Sequence, residues 1–209
     1  YMIFKEKLKN KSKIFLDGGN GSERRKLGGD MSPAFAALAT ITSPDIVVKV
    51  HENFINVGCD IITANTFATS RHVLDSLNRK NETEKFLIKS VELARKAIIN
   101  TNKTEKVAIA GSLSNFFALK ENEFVPNPKF IPSYKQEERN YIEAANILKD
   151  SGVDLLILEM LLDINHSEIL LNAALKTGLP VWVGLSCCES KFDNSIVGRN
   201  FRAEKEKSL

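Results

Sequence analysis

The sequence predicts an α/β fold built on a parallel sheet with crossover helices. Apolar runs of strand length alternate with segments of helical periodicity, the pattern that lays strands side by side through intervening helices. The runs are almost continuously apolar, as strands covered on both faces are. The composition agrees: 209 residues, 43% hydrophobic and 26% charged, describe an ordinary globular protein.

Five strands are expected, at 13–18, 60–66, 106–113, 153–159 and 180–186. Between them the helices carry their own start signals. Ser43 before Pro44 reads as an N-cap with proline in the first turn, of a helix running to Gly58. Asn81 with Glu84, Ser133 with Gln136 and Asn165 with Glu168 have capping-box spacing, in which the cap and the third helical residue satisfy each other's free amides. Phe86, Leu87, Val91, Ala94 and Ile98 make one apolar helix face; Tyr134, Tyr141, Ala145 and Leu148 make another. The segment from Gly58 to Ile62, Gly-Cys-Asp-Ile-Ile, returns as Gly-Val-Asp-Leu-Leu from Gly152 to Leu156, so one glycine-terminated helix-to-strand turn is used twice. Residues from Glu204 onward read as the start of a fifth helix. Residues 1–209 are read as a single domain, either an open five-stranded sheet or a (β/α)8 barrel of which about five βα units are present.

With 29 Lys+Arg against 26 Asp+Glu there is no basic stripe to neutralise a row of phosphates, so no nucleic-acid partner is expected. No apolar run approaches the roughly 20 residues of a membrane span, and no membrane partner is expected. The N-terminus lacks the pattern of a secretory signal, and three cysteines imply no disulfide framework; the expected location is cytoplasmic.

In both candidate folds function lies where strands end. The first expected strand ends in Asp17-Gly18-Gly19-Asn20-Gly21, a carboxylate followed by bare backbone amides able to approach a small anion. No helix is expected for about 25 residues after it, which disfavours a dinucleotide site. The second ends in Asn65-Thr66-Phe67. The third opens a long loop with Phe116, Phe117, Phe124 and three prolines, read as an apolar lid. The fourth delivers Glu159 after four successive apolar residues, where an unpaired buried carboxylate is costly. Its bland alternative is an ion pair with a nearby base. Two acids beside glycine amides suit an amino acid: carboxylates for its ammonium, amides for its carboxylate. Two acids also suit glycoside hydrolysis, but Trp182 is the sole tryptophan available as a sugar platform.

The succession Asp17-Gly18-Gly19-x-Gly21, Thr63-x-Asn65-Thr66-Phe67, Gly111-Ser112-Leu113 and Glu159 resembles the homocysteine S-methyltransferase family, over roughly residues 14–186. The resemblance implies a (β/α)8 barrel, with homocysteine and a small methyl donor as partners and methionine as product. It assigns substrate binding to Asp17, Gly18, Gly19, Asn65, Thr66 and Glu159, with no catalytic side chain of this chain named. It also implies zinc as cofactor, held by cysteines expected beyond Leu209. Cys187-Cys188 follows the fifth strand without the family's preceding Gly-Gly and is not assigned as a metal ligand. Cys59, in a helix-to-strand turn, reads as a small buried apolar residue. His51 and His166 read as solvated or locally bonded, while His72 is a candidate for lining the pocket. The competing class is a catalytically inactive short barrel, a binding or assembly subunit. A homo-oligomer covering open sheet edges is possible in either case.

Overall fold

The computed structural model describes residues 2–29, 37–121, 123, 125–189, 195–198 and 207–208. Four strands, β1 (Ile61–Thr63), β2 (Ala108–Ser114), β3 (Leu155–Leu161) and β4 (Val181–Leu185), pair in chain order, and every pairing is parallel. A doubly wound sheet reverses its order part-way; this one does not. The first expected strand contracts to one parallel bridge between Leu16 and Ile61, supported by Asp17 N donating to Ile61 O at 3.0 Å. Phe15 and Leu16 are exposed, so little apolar burial favours extending that pairing.

The helices are α1 (Met2–Lys9), α2 (Asn20–Lys26), α3 (Ala39–Thr42), α4 (Pro44–Asn56), α5 (Arg71–Asp75), α6 (Thr83–Asn100), α7 (Tyr134–Asp150) and α8 (Ile164–Leu175). The two sheet faces differ in content. Ile62, Ile109, Leu156 and Leu158 pack with Val47, Leu87, Val91, Tyr141 and Leu148 of the helices in the larger core. Ile61, Ala108, Ala110 and Leu155 form a smaller cluster on the other face, with Ile157 and Trp182 against it. This double burial is why the strands read as continuous apolar runs. β4 departs from the expectation: Val183 and Leu185 are about half exposed.

Gly58 and Gly152 both have positive φ, at 98° and 80°, which lets the chain leave a helix and enter β1 or β3, as the repeat predicts. The cap assignments fare unevenly. Ser43 stands at the N-cap of α4 but makes no side-chain cap bond. Ser133 Oγ accepts from Gln136 N at 3.4 Å, while the Gln136 side chain turns to Asn140, so only half of that box forms. The other two boxes are absent. A 3-10 turn, Lys80–Glu82, leads into α6, and Asp163 caps α8 by accepting from the amides of Asn165 and His166. A carboxylate two residues upstream outcompetes the Asn165 amide because its bonds are charge-assisted. Tyr134 is exposed, at the first position of α7, while Tyr141, Ala145 and Leu148 are buried as expected. Two further corrections concern helices: α2 begins directly after Gly19, and Lys207–Ser208, expected to be helical, form a short strand β7. It joins β5 (Cys187–Glu189) and β6 (Ile196–Gly198) in an antiparallel sheet; 204–206 lie outside the described residues.

Candidate active site

The C-terminal ends of the parallel strands surround a cavity of about 550 Å³, and Asp17, Gly18, Gly19, Asn65 and Glu159 all line it. Asp17 arrives from the Leu16 bridge. Its Oδ2 accepts from Thr63 N at 2.8 Å and from Asn20 Nδ2 at 3.1 Å, and its Oδ1 accepts from Thr63 Oγ1 at 2.8 Å. Burial nevertheless pushes its pKa above the ordinary aspartate value, the hydrogen bonds offsetting only part. Glu159 enters from β3, and its Oε1 accepts from Ser112 Oγ at 2.5 Å. Burial raises its pKa, the Ser112 bond opposes this, and the charge of Asp17 adds to the rise. Among the described residues no ion pair joins either acid to a base.

The backbone at Glu159 is irregular. Between the pairs Leu158 with Val183 and Leu161 with Leu185, β3 uses one more residue than β4, a bulge that swings the strand end. Met160, next to the glutamate, takes φ of 53°, a left-handed conformation that costs a non-glycine residue on the order of 1 kcal/mol or more. Opposite, a Cβ on Gly184 would meet Leu158 O at 3.3 Å, so glycine lets β4 lie against the bulge. Gly18 is similarly confined, since a Cβ there would stand 3.2 Å from the Phe54 ring.

Thr66 does not line the cavity. Its hydroxyl donates to Ser112 O at 2.7 Å and accepts from Ser112 N at 3.0 Å, fixing the strand residue whose own hydroxyl holds Glu159. Asn65 Nδ2 donates to Thr40 Oγ1 at 3.0 Å. Of the lid candidates, Phe117 is buried and Phe116 packs tilted on Phe67, a cavity residue; Phe124 lies outside the described residues.

The histidine expectations need correcting. His72 lines a different cavity, bounded by Arg71, Lys80, Lys129 and Asn140, and its ring nitrogens lie near Asn140 Nδ2 and Phe116 O. His166 is buried with its Nδ1 2.6 Å from Glu137 Oε2. His51 is buried too, with neither ring nitrogen hydrogen-bonded; burial, helped by the charge of Arg24, lowers its pKa to about 4. The sequence reading also missed Arg24, a cavity residue turned inward by α2.

Among the described residues the cysteines belong to no cluster of metal-ligating side chains. Cys187 and Cys188 are neighbours in the extended strand β5, so their side chains point to opposite faces. Cys59 is buried, as expected, with its Sγ donating to Leu16 O at 3.4 Å and its thiol pKa raised by burial and by Asp17 and Asp60. Among the described residues no three His, Cys, Asp or Glu side chains converge to hold an ion, and these residues do not fit zinc.

A family model for homocysteine S-methyltransferase matches residues 14–206. The chain belongs to the homocysteine S-methyltransferase family. Homocysteine S-methyltransferase 2 of Zea mays is 34% identical over 87 residues, 41% of this chain and 26% of that protein. Selenocysteine methyltransferase of Astragalus bisulcatus is 29% identical over 165 residues, covering 69% of this chain and 49% of that one. The chain thus spans about a quarter to a half of the length of these relatives. The crystal structure of the homocysteine methyltransferase MmuM from Escherichia coli, in its metallated form, superposes with a TM-score of 0.71 at 19% identity. That match covers 93% of this chain and 70% of MmuM, and is a likeness of fold. No helix among the described residues is long and apolar enough to cross a membrane.

Proposed function

We propose that the protein binds homocysteine as the thiol substrate of an S-methyltransferase, with Asp17 and Glu159 holding its ammonium. The observation that carries this reading is the pair of half-buried carboxyls in one cavity, each pushed toward its neutral form by desolvation and, among the described residues, in no ion pair. An ammonium between them relieves that pressure and restores both charges. The amides of Gly18 and Gly19 and the side chain of Asn65 complete the polar wall; Thr66 contributes through Ser112.

In the transfer the homocysteine sulfur, having lost its proton, attacks the methyl carbon of an onium or a methylated carrier. The new S–C bond forms as the donor–methyl bond breaks, its electron pair leaving with the donor, and methionine results. Zinc would favour the thiolate in the whole protein, but the residues described here do not fit that metal and no step is derived through it. On this reading the chain contributes five βα units of a (β/α)8 barrel as a single domain, in the cytoplasm.

Titration calorimetry tests the binding. Wild-type protein should bind homocysteine, and Asp17→Asn or Glu159→Gln should weaken it by about one to two decades, the worth of a charge-assisted hydrogen bond. Unchanged affinity in both variants would end the reading.

A further inference from the structure

Behind Glu159 a line of hydrogen bonds crosses two strands. β1 and β2 stay paired as far as Ala64, whose N donates to Ala110 O at 2.9 Å. There the backbone leaves the sheet: Thr66 N turns back to Ala64 O at 2.7 Å, and Thr69 Oγ1 donates to Thr66 O at 2.9 Å. Two residues further along β2, the N–H and C=O of Ser112 both meet the Thr66 hydroxyl in place of a backbone partner. One hydroxyl can serve both groups because it donates and accepts at once. Thr66 is 1% exposed and Ser112 is fully buried, so without that hydroxyl two backbone groups would stand unpaired in the interior.

The two acids of the cavity differ in what remains open on them. Asp17 has both oxygens engaged, by Thr63 and Asn20. Glu159 accepts from Ser112 Oγ at Oε1, and its Oε2 accepts no hydrogen bond among the described residues. The last torsion of a glutamate is broad, so an unanchored carboxylate samples many orientations. Anchoring one oxygen removes that freedom before a ligand arrives, and a group ordered in advance costs less to use in binding.

We propose that Thr66 and Ser112 are positioning residues for homocysteine: Thr66 fixes Ser112, Ser112 fixes Glu159 Oε1, and Oε2 is left for the ligand ammonium. This rests on the ammonium reading of Glu159, and adds that a side chain outside the cavity sets part of the affinity.

Calorimetric titration with homocysteine tests it in wild type, Ser112→Ala, Thr66→Val, the double variant and Thr66→Ser. Ser112→Ala and Thr66→Val should each weaken binding by about three- to ten-fold, the worth of one hydrogen bond. Thr66→Ser keeps the hydroxyl and should stay within about two-fold of wild type. The double variant should match Ser112→Ala within about two-fold, because both changes cut one path. In the free protein, carbon-13 NMR should find the Glu159 carboxyl titrating at higher pH in Ser112→Ala and Thr66→Val, and unmoved in Thr66→Ser. A purely structural role would lower the melting temperature and shift neither affinity nor titration. Wild-type affinity in Ser112→Ala, or losses that multiply in the double variant, overturns the proposal; the ammonium reading stands if Glu159→Gln still weakens binding. Wild type that does not bind homocysteine overturns both. Where Thr66→Val does not fold, Thr66→Cys, a weak donor and acceptor, takes its place and should bind less tightly than Thr66→Ser; equal affinity overturns the proposal.

Discussion

Two regions of this molecule treat carboxylates in opposite ways. Glu137, inside α7, is fully buried and answered by the protein: Tyr141 OH donates to its Oε1 at 2.9 Å, and His166 Nδ1 stands 2.6 Å from its Oε2. Phe117 packs edge-on against His166, closing the network from the lid side. Asp17 and Glu159 are half-buried at the strand ends, with hydroxyl, amide and backbone partners but no base within ion-pair distance among the described residues. The first arrangement secures two helices to each other. The second leaves a charge deficit inside a cavity, which a cationic ligand can fill.

The largest effect expected from this contrast is at Glu137. Glu137→Leu leaves both the Tyr141 hydroxyl and His166 Nδ1 without their partner in the interior, at about 1–3 kcal/mol for each group, so it should cost about 3–5 kcal/mol in urea unfolding. A loss below about 1 kcal/mol would show that the network does little for the fold. Next in size is the acid sensitivity set by His51. Its folded pKa of about 4 lies below its ordinary 6.5, so between those values the unfolded chain takes up a proton that the folded one refuses. Stability is then complete above pH 6.5 and falls toward pH 4 by on the order of 3 kcal/mol. His51→Leu should flatten that part of the stability curve; an unaltered slope would locate the sensitivity elsewhere.

The pocket acids should show the reverse dependence. A carboxyl whose folded pKa is raised contributes stability below its unfolded value and loses it as pH rises through the folded one. Glu159→Gln keeps an acceptor for Ser112 and removes the half-buried charge. Its melting temperature at neutral pH should equal or modestly exceed that of wild type, the smallest of the expected effects, even as homocysteine affinity falls. A clear drop in melting temperature would put Glu159 in the same class as Glu137.

The contrast also explains what was legible in the sequence. Glu159 stood out because a carboxylate after four successive apolar residues has no place in a strand unless the strand end needs it. Gly58 and Gly152 were legible because a left-handed turn requires glycine at little steric cost. Glu137 was not, since a glutamate among Gln136, Glu138 and Arg139 reads as part of a solvated helix face, and its burial is decided by His166 far along the chain. α2 was hidden for a related reason: Asn-Gly-Ser-Glu-Arg-Arg-Lys has no apolar periodicity, and its one buried residue is charged. Thr66 was placed in the pocket by its proximity to Asn65, but alternation along the chain turned it toward β2 and Ser112. The bulge at Met160 left no signal in the residues at all.

The central claim is that Asp17 and Glu159 wait for an ammonium. Carbon-13 NMR of the Glu159 side-chain carboxyl, titrated with pH in the free protein and again with saturating homocysteine, measures this directly. Free, the carboxyl should titrate above the ordinary glutamate value; with ligand bound, its titration should move to lower pH as the ammonium favours the charged form. A Glu159 titration that is the same with and without homocysteine, under conditions where calorimetry records binding, would contradict the account.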